Sequence, residues 1–309
     1  LNPDADGMAQ AADMLRDGEL VAFPTETVYG LGADAANDAA VAGVFAAKGR
    51  PDFNPLIVHV PDVTTAQRYV EFNDDAERLA AAFWPGALTL VLPMRADAGI
   101  SKLVTAGLDT LAVRVPDHRV GQGLLRAFDG PVAAPSANPS GRISPTTAAH
   151  VLDGLNGRID AVIDGGPCDV GLESTIVACL GQPVLLRAGG VPVEALEACL
   201  GQTLAVQDTA EKPTAPGQLV SHYAPKGTVR LNADAPESGE TYLGFGAGSA
   251  DVNLSVAGDV TEAAARLFAC LHQLDAMGAT RIAVAPIPDH GLGRAINDRL
   301  RRAAAPRDE

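Results

Sequence analysis

The chain has 309 residues, of which 47% are hydrophobic and 20% are charged, and its formal net charge is −15 at pH 7. This balance is typical of a globular protein and excludes an intrinsically disordered one. The strong negative charge also disfavours tight, sequence-independent binding to nucleic acid, because such binding needs Lys and Arg to neutralise phosphates. The length leaves room for two hydrophobic cores.

The four cysteines are far apart and form no C-x-x-C pair. Zinc and dithiol chemistry therefore have no support in the sequence, and we expect reduced thiols and no metal-ligating residues. No basic segment followed by an apolar one opens the chain, and no apolar run approaches the ~18–20 residues that a membrane span requires. We expect a cytoplasmic protein that makes no use of a membrane.

The first two hundred residues alternate helical and extended patterns. Apolar residues at helical spacing predict helices over 4–17, 38–48, 74–84, 119–127, 146–153 and 193–199. Short apolar runs predict strands over 20–23, 56–60, 87–92, 111–115, 131–134, 161–164, 174–178 and 183–187. The last two strands are too close in sequence for the crossover that parallel neighbours need. The pattern thus predicts an α/β domain over residues 1–206 with a twisted mixed sheet.

Apolar periodicity stops between residues 207 and 227. Three prolines and no amphipathic pattern in this segment predict a linker of restricted, extended conformation. Beyond it, strands are predicted at 228–231, 241–245 and 281–285, and helices at 261–277 and 292–305. These elements predict a small Rossmann-like α/β domain over residues 228–309.

Three polar clusters stand beside the predicted strands. Residues 23–31 read Phe-Pro-Thr-Glu-Thr-Val-Tyr-Gly-Leu, residues 48–51 read Lys-Gly-Arg-Pro, and residues 135–138 read Pro-Ser-Ala-Asn. Cations, hydroxyls and an amide next to buried strands are costly unless they hold something anionic, and sheet ends are where α/β proteins bind ligands. Taken singly, the three clusters are more typical of a polar turn, a helix end and an ordinary loop, respectively. Taken together, they suit a nucleotide and a small carboxylate substrate.

Single charged residues extend this pattern. Arg50 and Asn54 lead directly into a predicted strand, and a guanidinium there can bind phosphate oxygens bidentately. Arg114 interrupts an apolar strand, where it needs either a structural salt bridge or a substrate carboxylate as its partner. Arg187 closes another strand, where the residue taken alone favours a surface ion pair over a ligand contact. His59, in mid-strand, is compatible with a core position or a pocket position.

Seven short motifs occur in a fixed order along the chain. They are Pro-Thr-Glu-Thr-x-Tyr-Gly-Leu, Lys-Gly-Arg-Pro, Asn-Pro-Leu-x-x-His, Ala-Val-Arg-x-Pro, Ala-Pro-Ser-Ala-Asn-x-Ser-Gly, Glu-Ser-Thr and Leu-Arg-x-Gly. With the His-Tyr-Ala-Pro of the linker and a terminal Gly-Leu-Gly-Arg-Ala-Ile-Asn-Asp-Arg-Leu-Arg-Arg, the succession resembles the YrdC-like family in its two-domain form. One departure is Ala188, where the family often has proline after the arginine.

The resemblance implies a nucleotidyltransferase. Its substrates would be L-threonine, bicarbonate or CO2, and ATP with Mg2+, and its products threonylcarbamoyl-AMP and pyrophosphate. The adenylate would pass to a transferase complex that modifies tRNA, with weak or no direct nucleic-acid binding by this chain. The fold implied is a YrdC-like domain, a linker and the small domain.

The resemblance also implies roles for individual residues. The catalytic residues would be Lys48 and Arg50. The ATP-binding residues would be Arg50, Asn54, Thr110, Ser136, Asn138, Ser144, Arg187 and Tyr223. The threonine-binding residues would be Thr27, His59, Arg114 and Ser174. Tyr223 would close over both substrates as part of a lid in the linker 207–227.

Two other functions are compatible with parts of this pattern. A carbamoyltransferase that forms a carbamoyl adenylate would use a similar domain, but it would normally carry zinc-binding segments that the cysteine pattern lacks. A non-catalytic RNA-binding module would have to work against the net charge of −15.

Overall fold

The structure is a computed structural model, and it describes residues 1–51, 54–206 and 222–306. The predicted linker and lid, residues 207–227, lies outside the described residues except for 222–227. No helix in the described ranges has both the length and the apolar character needed to cross a membrane.

Residues 1–206 build the larger of two sheets. Their helices are α1 (Ala5–Arg16), α2 (Asp38–Lys48), α3 (Val63–Ala66), α4 (Asp74–Phe83), α5 (Lys102–Thr105), α6 (Arg119–Phe128), α7 (Ala148–Leu155) and α8 (Val193–Leu200). Their strands are β1 (Val21–Phe23), β2 (Gly30–Asp34), β3 (Ile57–His59), β4 (Leu88–Pro93), β5 (Thr110–Arg114), β6 (Val132–Ala133), β7 (Ala161–Val162), β8 (Thr175–Ala178), β9 (Val184–Arg187) and β10 (Ala205–Val206).

The larger sheet is mixed, as the sequence predicted. In the described part of the chain its strand order is β10-β9-β8-β4-β5-β3-β6-β2-β1-β7. Strands β3 and β5 are parallel, as are β4 and β8, whereas β4 and β5 are antiparallel. The close neighbours β8 and β9 pair antiparallel, because the short connection between them leaves no room for a crossover.

Local signals explain why α2 delivers two cations to the loop after it. The Asn37 side chain caps the helix by accepting hydrogen bonds from the backbone N–H groups of Ala39 and Ala40. Gly49 ends it in the left-handed region, at φ 59°, which glycine reaches without steric cost. Lys48 therefore closes the helix, and Arg50 begins the next segment.

Five short elements, α3, α5, β2, β10 and β13 (Val252–Asn253), were not predicted. Strand β2 is the most informative because its Gly-Leu-Gly sequence is a poor strand signal. A Cβ at Gly32 would lie 2.9 Å from the Phe23 ring, so the glycine allows β2 to pack closely on β1. Tertiary packing thus overrides the local preference.

The two faces of the larger sheet differ in chemistry. Val58, Leu111 and Val113 belong to the main core, which also contains apolar residues of α2, α4 and α8. Their neighbours Ile57 and Ala112 point to the other face and form a smaller apolar cluster there. Because side chains alternate along a strand, His59 shares a face with Ile57, and Arg114 shares it with Ala112.

The C-terminal domain is a small parallel α/β unit, as predicted. Its elements are β11 (Thr228–Arg230), β12 (Thr241–Gly244), β13, α9 (Val260–Ala276), β14 (Arg281–Val284) and α10 (Gly293–Ala304). The sheet order is β11-β14-β12-β13, and each of its pairings is parallel. Its core extends to Val28, Ile143 and Leu172 of the larger domain, so the two domains share one apolar interface.

Candidate functional site

A crevice lies on the face of the larger sheet that carries His59 and Arg114. It encloses about 550 Å3, counting the open solvent at its mouth. The predicted site residues that line it are Thr27, Arg50, His59, Arg114, Ser136, Ser174, Arg187 and Tyr223. They come from distant parts of the chain, and the sheet brings them together.

Arg114 stands at the centre of a buried polar network. Its Nη1 donates a hydrogen bond of 2.9 Å to the hydroxyl of Thr27, and its Nε donates one of 3.2 Å to the carbonyl oxygen of Gly86. Its Nη2 lies 2.6 Å from a carboxylate oxygen of Glu26, and both side chains are buried. The sequence left a salt bridge and a ligand contact open for Arg114, and the structure combines a salt bridge with a position in the crevice wall.

His59 is a neutral imidazole beside this network. Burial, and secondarily the nearby Arg114 guanidinium, lowers the pKa of His59 to about 3. Its ring meets Phe23 edge to face with the ring centroids 6.2 Å apart, and Nδ1 has no hydrogen-bond partner among the described residues. A buried polar atom without a partner, on a side chain that lines a crevice, is suited to a ligand.

Ser174 and Arg187 form a further part of the crevice wall. Arg187 donates from Nε and Nη2 to the carbonyl oxygen of Ser174, at 3.1 and 2.9 Å. The Ser174 hydroxyl lies 3.2 Å from the same Nη2 and 2.7 Å from the hydroxyl of Thr89. Burial lowers the pKa of Arg187, but a guanidinium remains charged at neutral pH. This wall offers a fixed cation and an oriented hydroxyl.

Arg50 is fixed by its own loop. Its Nε and Nη2 donate to the carbonyl oxygens of Asn54 and Pro55, at 3.3 and 3.0 Å. Burial lowers the pKa of Arg50 to about 10, so the side chain carries its charge into the crevice at pH 7. The fixed guanidinium is arranged to receive an anion.

Lys48 is placed differently from Arg50. Its Nζ donates hydrogen bonds to the carbonyl oxygens of Ser136 and Asn138, and it does not line the crevice in the described part of the chain. Burial, and then the charge of Arg50, lowers the pKa of Lys48 well below its usual value. Lys48 therefore ties the Lys-Gly-Arg segment to the Ser-Ala-Asn loop instead of facing the crevice.

Four other predicted residues also stand back from the crevice lining: Asn54, Thr110, Asn138 and Ser144. Asn138 donates from Nδ2 to the carbonyl oxygens of Pro139 and Arg142, which shapes its loop. Both side-chain polar atoms of Asn54 are buried and have no partner among the described residues. Thr110 shares its face of β5 with Arg114 but lies four residues away, about 13 Å along the strand.

Several residues in the crevice wall or directly behind it were given no role by the sequence. Glu26 and Glu173 belong to the motifs quoted above and form buried ion pairs with Arg114 and Arg299. His222 lines the crevice and stacks on Tyr223, with ring centroids 4.1 Å apart. For Arg299 a signal did exist: it occupies an apolar stripe position of α10, where an arginine needs a partner.

Comparison with known proteins gives matches along nearly the whole chain. The family model described as "Telomere recombination", of the Sua5/YciO/YrdC group, matches residues 13–189. The model described as "Threonylcarbamoyl-AMP synthase, C-terminal domain" matches residues 191–305. The threonylcarbamoyl-AMP synthase of Bacillus subtilis is 43% identical, over 97% of this chain and 93% of that protein. The one of Pyrococcus abyssi is 41% identical, over 95% and 93%.

A solved structure agrees with the fold. The crystal structure of Pyrococcus abyssi Sua5 complexed with L-threonine matches with a TM-score of 0.90 and 39% identity, covering 97% of this chain and 95% of that one. The arginine-lined crevice on a mixed sheet, joined to a small parallel domain, thus defines a two-domain protein of the YrdC-like class, as the motifs predicted. The chain belongs to the threonylcarbamoyl-AMP synthase family.

The lowered pKa of His59 predicts how the unfolding free energy of the protein depends on pH. In the unfolded chain His59 takes up a proton below its ordinary pKa of 6.5, whereas in the fold it does so only near 3. The unfolded state therefore binds more protons between these values, and stability falls as the pH is lowered through this window. When the pH falls from 7 to 5, the unfolding free energy of both proteins can decrease. We expect this decrease to be about 2 kcal/mol smaller in His59→Gln than in the wild type.

Urea unfolding followed by the fluorescence of Trp84, the one tryptophan of the chain, measures this difference in the larger domain. His290→Gln, at an exposed position of the C-terminal domain, is the matched control. Equal pH dependence in His59→Gln and the wild type would show that the imidazole is not held neutral by burial.

Proposed function

We propose that this chain makes threonylcarbamoyl-AMP from L-threonine, CO2 or bicarbonate, and ATP, with release of pyrophosphate. The observation that carries the proposal is one crevice in which Arg50, Arg114 and Arg187 stand with hydroxyls and a neutral imidazole. Near-complete matches to threonylcarbamoyl-AMP synthases favour this function over a carbamoyltransferase or an RNA-binding module.

The threonine end of the crevice is proposed to be the wall formed by Thr27, His59, Arg114 and Ser174. The guanidinium of Arg114 would neutralise the threonine carboxylate while Glu26 keeps the arginine itself balanced. A neutral His59 would leave the amine of threonine free of a competing positive charge. The amine nitrogen then attacks the carbon of CO2 and loses a proton, which yields a carbamate.

The nucleotide end is proposed to be formed by Arg50, Ser136, Arg187 and Tyr223, with Asn54, Thr110, Asn138 and Ser144 around it. A carbamate oxygen would attack the α-phosphorus, and the bond between that phosphorus and the oxygen bridging to the β-phosphate would break. Pyrophosphate leaves with the electron pair of that bond. Arg50 would stabilise the charge that grows on the phosphates, and Lys48 would support it by fixing the neighbouring loop.

Mg2+ is proposed to enter as the complex with ATP, bound mainly by phosphate oxygens. The described residues contain no group of three His, Cys, Asp or Glu side chains that could hold a metal ion. Glu173 in the crevice wall and Glu26 behind it are already paired with Arg299 and Arg114. This pairing agrees with an ion carried by the nucleotide.

The remaining expectations concern the surroundings of the enzyme. We propose the division into a catalytic domain (1–206), a linker and lid (207–227) and a C-terminal domain (228–309). We propose that the enzyme works in the cytoplasm and passes its product to a tRNA threonylcarbamoyl transferase complex. The net charge of −15 supports weak or no direct binding of nucleic acid by this chain.

The reaction itself is the first test. Purified protein should release pyrophosphate from Mg-ATP only when both threonine and bicarbonate are present, and mass spectrometry should detect threonylcarbamoyl-AMP. Serine and glycine should support less turnover, because neither presents both the hydroxyl and the methyl group of threonine. Equal turnover with all three amino acids would contradict the assignment of threonine.

Arg50 provides the second test. Replacing Arg50 by Met removes a fixed guanidinium from the phosphates, and we expect kcat/KM for ATP to fall about 100-fold, since charge-assisted hydrogen bonds contribute about 1.5–3 kcal/mol each. Arg50→Lys keeps the charge but loses the planar fork, so we expect a loss of about tenfold.

Steady-state kinetics of pyrophosphate release measures both variants. The control is Arg95→Met, because Arg95 is 44% exposed and pairs only loosely with Asp97, at 3.6 Å. Wild-type kinetics in Arg50→Met, with its fold verified by circular dichroism, would remove Arg50 from the nucleotide site.

A further inference from the structure

Arg299 is the largest fully buried side chain among the described residues, and it comes from the C-terminal domain. It lies on α10 between Ala295 and Ile296 on one side and Leu300 and Ala303 on the other, where the buried face is otherwise apolar. A charged side chain in such a place is strongly destabilising unless it is paired and hydrogen-bonded. Its partners therefore indicate why it is there.

The main partner of Arg299 belongs to the crevice wall. Its Nε donates to Oε2 of Glu173 at 2.9 Å, and Glu173 lines the crevice just before β8. The other carboxylate oxygen of Glu173 accepts a hydrogen bond of 2.6 Å from the hydroxyl of Ser144. One carboxylate thus joins α10 of the C-terminal domain to a predicted ATP-binding loop of the larger domain.

Arg299 also supports a second part of the wall. Its guanidinium carbon lies 5.4 Å from the ring centroid of Tyr223, and that ring stacks on Phe268 of α9 at 5.5 Å. Tyr223 is buried and lines the crevice. Nη1 of Arg299 donates to the carbonyl oxygen of Ala188 at 2.7 Å and to Asp298 at 2.9 Å. Arg299 itself does not line the crevice, so it can act on the site only through the residues that it contacts.

The charges of Glu173 and Arg299 indicate what their pairing does for the crevice. Glu173 places a carboxylate in the wall of a crevice that also presents Arg50 and Arg187. Without a countercharge, that carboxylate would repel the triphosphate of ATP, and the repulsion would be strong because a buried crevice screens charge poorly. Arg299 supplies the countercharge without occupying the space that the ligand needs.

Resting on the proposed function, we infer that Arg299 is a positioning residue of the ATP site. It balances Glu173 and holds Ser144 and Tyr223 in place through Glu173 and through the Tyr223 ring. The C-terminal domain thereby completes the nucleotide site of the larger domain. A pair with a purely structural role would stabilise the domain contact and leave the affinity for nucleotide unchanged.

The test compares four full-length variants: Arg299→Met, Glu173→Gln, the double variant Glu173→Gln/Arg299→Met, and Arg294→Met. Arg294 is the matched control, since it also reaches from α10 to the larger domain, pairing with Glu194 at 3.3 Å, but both side chains are about half exposed. Calorimetry measures the Kd for α,β-methylene ATP and for threonine, and thermal unfolding measures the fold.

We expect Arg299→Met to bind the analogue at least tenfold more weakly than the wild type, with the Kd for threonine changed less than threefold. The double variant should recover part of the lost affinity, because no carboxylate remains unbalanced although the contact of Arg299 with the Tyr223 ring is still missing. Glu173→Gln keeps an oxygen for Ser144 and leaves Arg299 in excess, so it should bind the analogue about threefold more tightly. Arg294→Met should match the wild type.

Several results would overturn the inference. One is that folded Arg299→Met binds the analogue as tightly as the wild type. Another is that Arg299→Met and the double variant bind it equally weakly. A third is that Glu173→Gln binds it no more tightly than the wild type. If Arg299→Met does not fold, the Kd of Glu173→Gln for the analogue, compared with that of the wild type, tests the inference. Absence of binding of both ligands by the wild type would instead contradict the proposed function, so the two failures are distinguishable.

Discussion

Charge balance inside a poorly solvated crevice is the constraint on which the site depends. Arg114 and Arg187 are buried, and a buried charge is tolerated only when other groups of the fold compensate it. Glu26 balances Arg114, and the carbonyl oxygen of Ser174 accepts from Arg187. The cations are therefore held in place before any ligand arrives. Such preorganised charge is what stabilises phosphate groups most effectively.

The mixed sheet provides the rigidity that this balance requires. Alternate residues of β3 and β5 point to the crevice, and their neighbours anchor the strands in the main core. A side chain such as His59 or Arg114 is consequently fixed by the packing of the residues beside it. Lys48 fixes the loop after β6 by donating hydrogen bonds to two carbonyl oxygens of that loop. These contacts join the Lys-Gly-Arg segment to the Ser-Ala-Asn loop.

The two domains are more closely joined than their separate sheets indicate. Val28, Ile143 and Leu172 of the larger domain pack in the core of the C-terminal one. Tyr223 lies between the two, against Phe268 and Arg299, and closes one wall of the crevice. The contact is continuous with the crevice, and a change in the C-terminal domain can therefore reach the crevice wall.

Much of the fold followed from the local sequence. Apolar spacing identified the longer helices and most strands, because burial of one face imposes a period of 3.6 or 2 on the residues. The short gap between residues 178 and 183 was enough to predict a mixed sheet. Strand β2 was missed because only its contact with Phe23 makes glycine suitable there.

The site was predictable only as a set of motifs. The order of those motifs identified the family, because seven weak motifs in one order are far more specific than any single one. The part played by each side chain depended on contacts between residues far apart in sequence. Glu173 and Arg299 are 126 positions apart, and no local pattern pairs them. The sequence by itself determined the longer helices, most strands and the residue types available for binding. Only the tertiary structure decided which charges face the crevice and which balance it, because burial and pairing are properties of the folded chain.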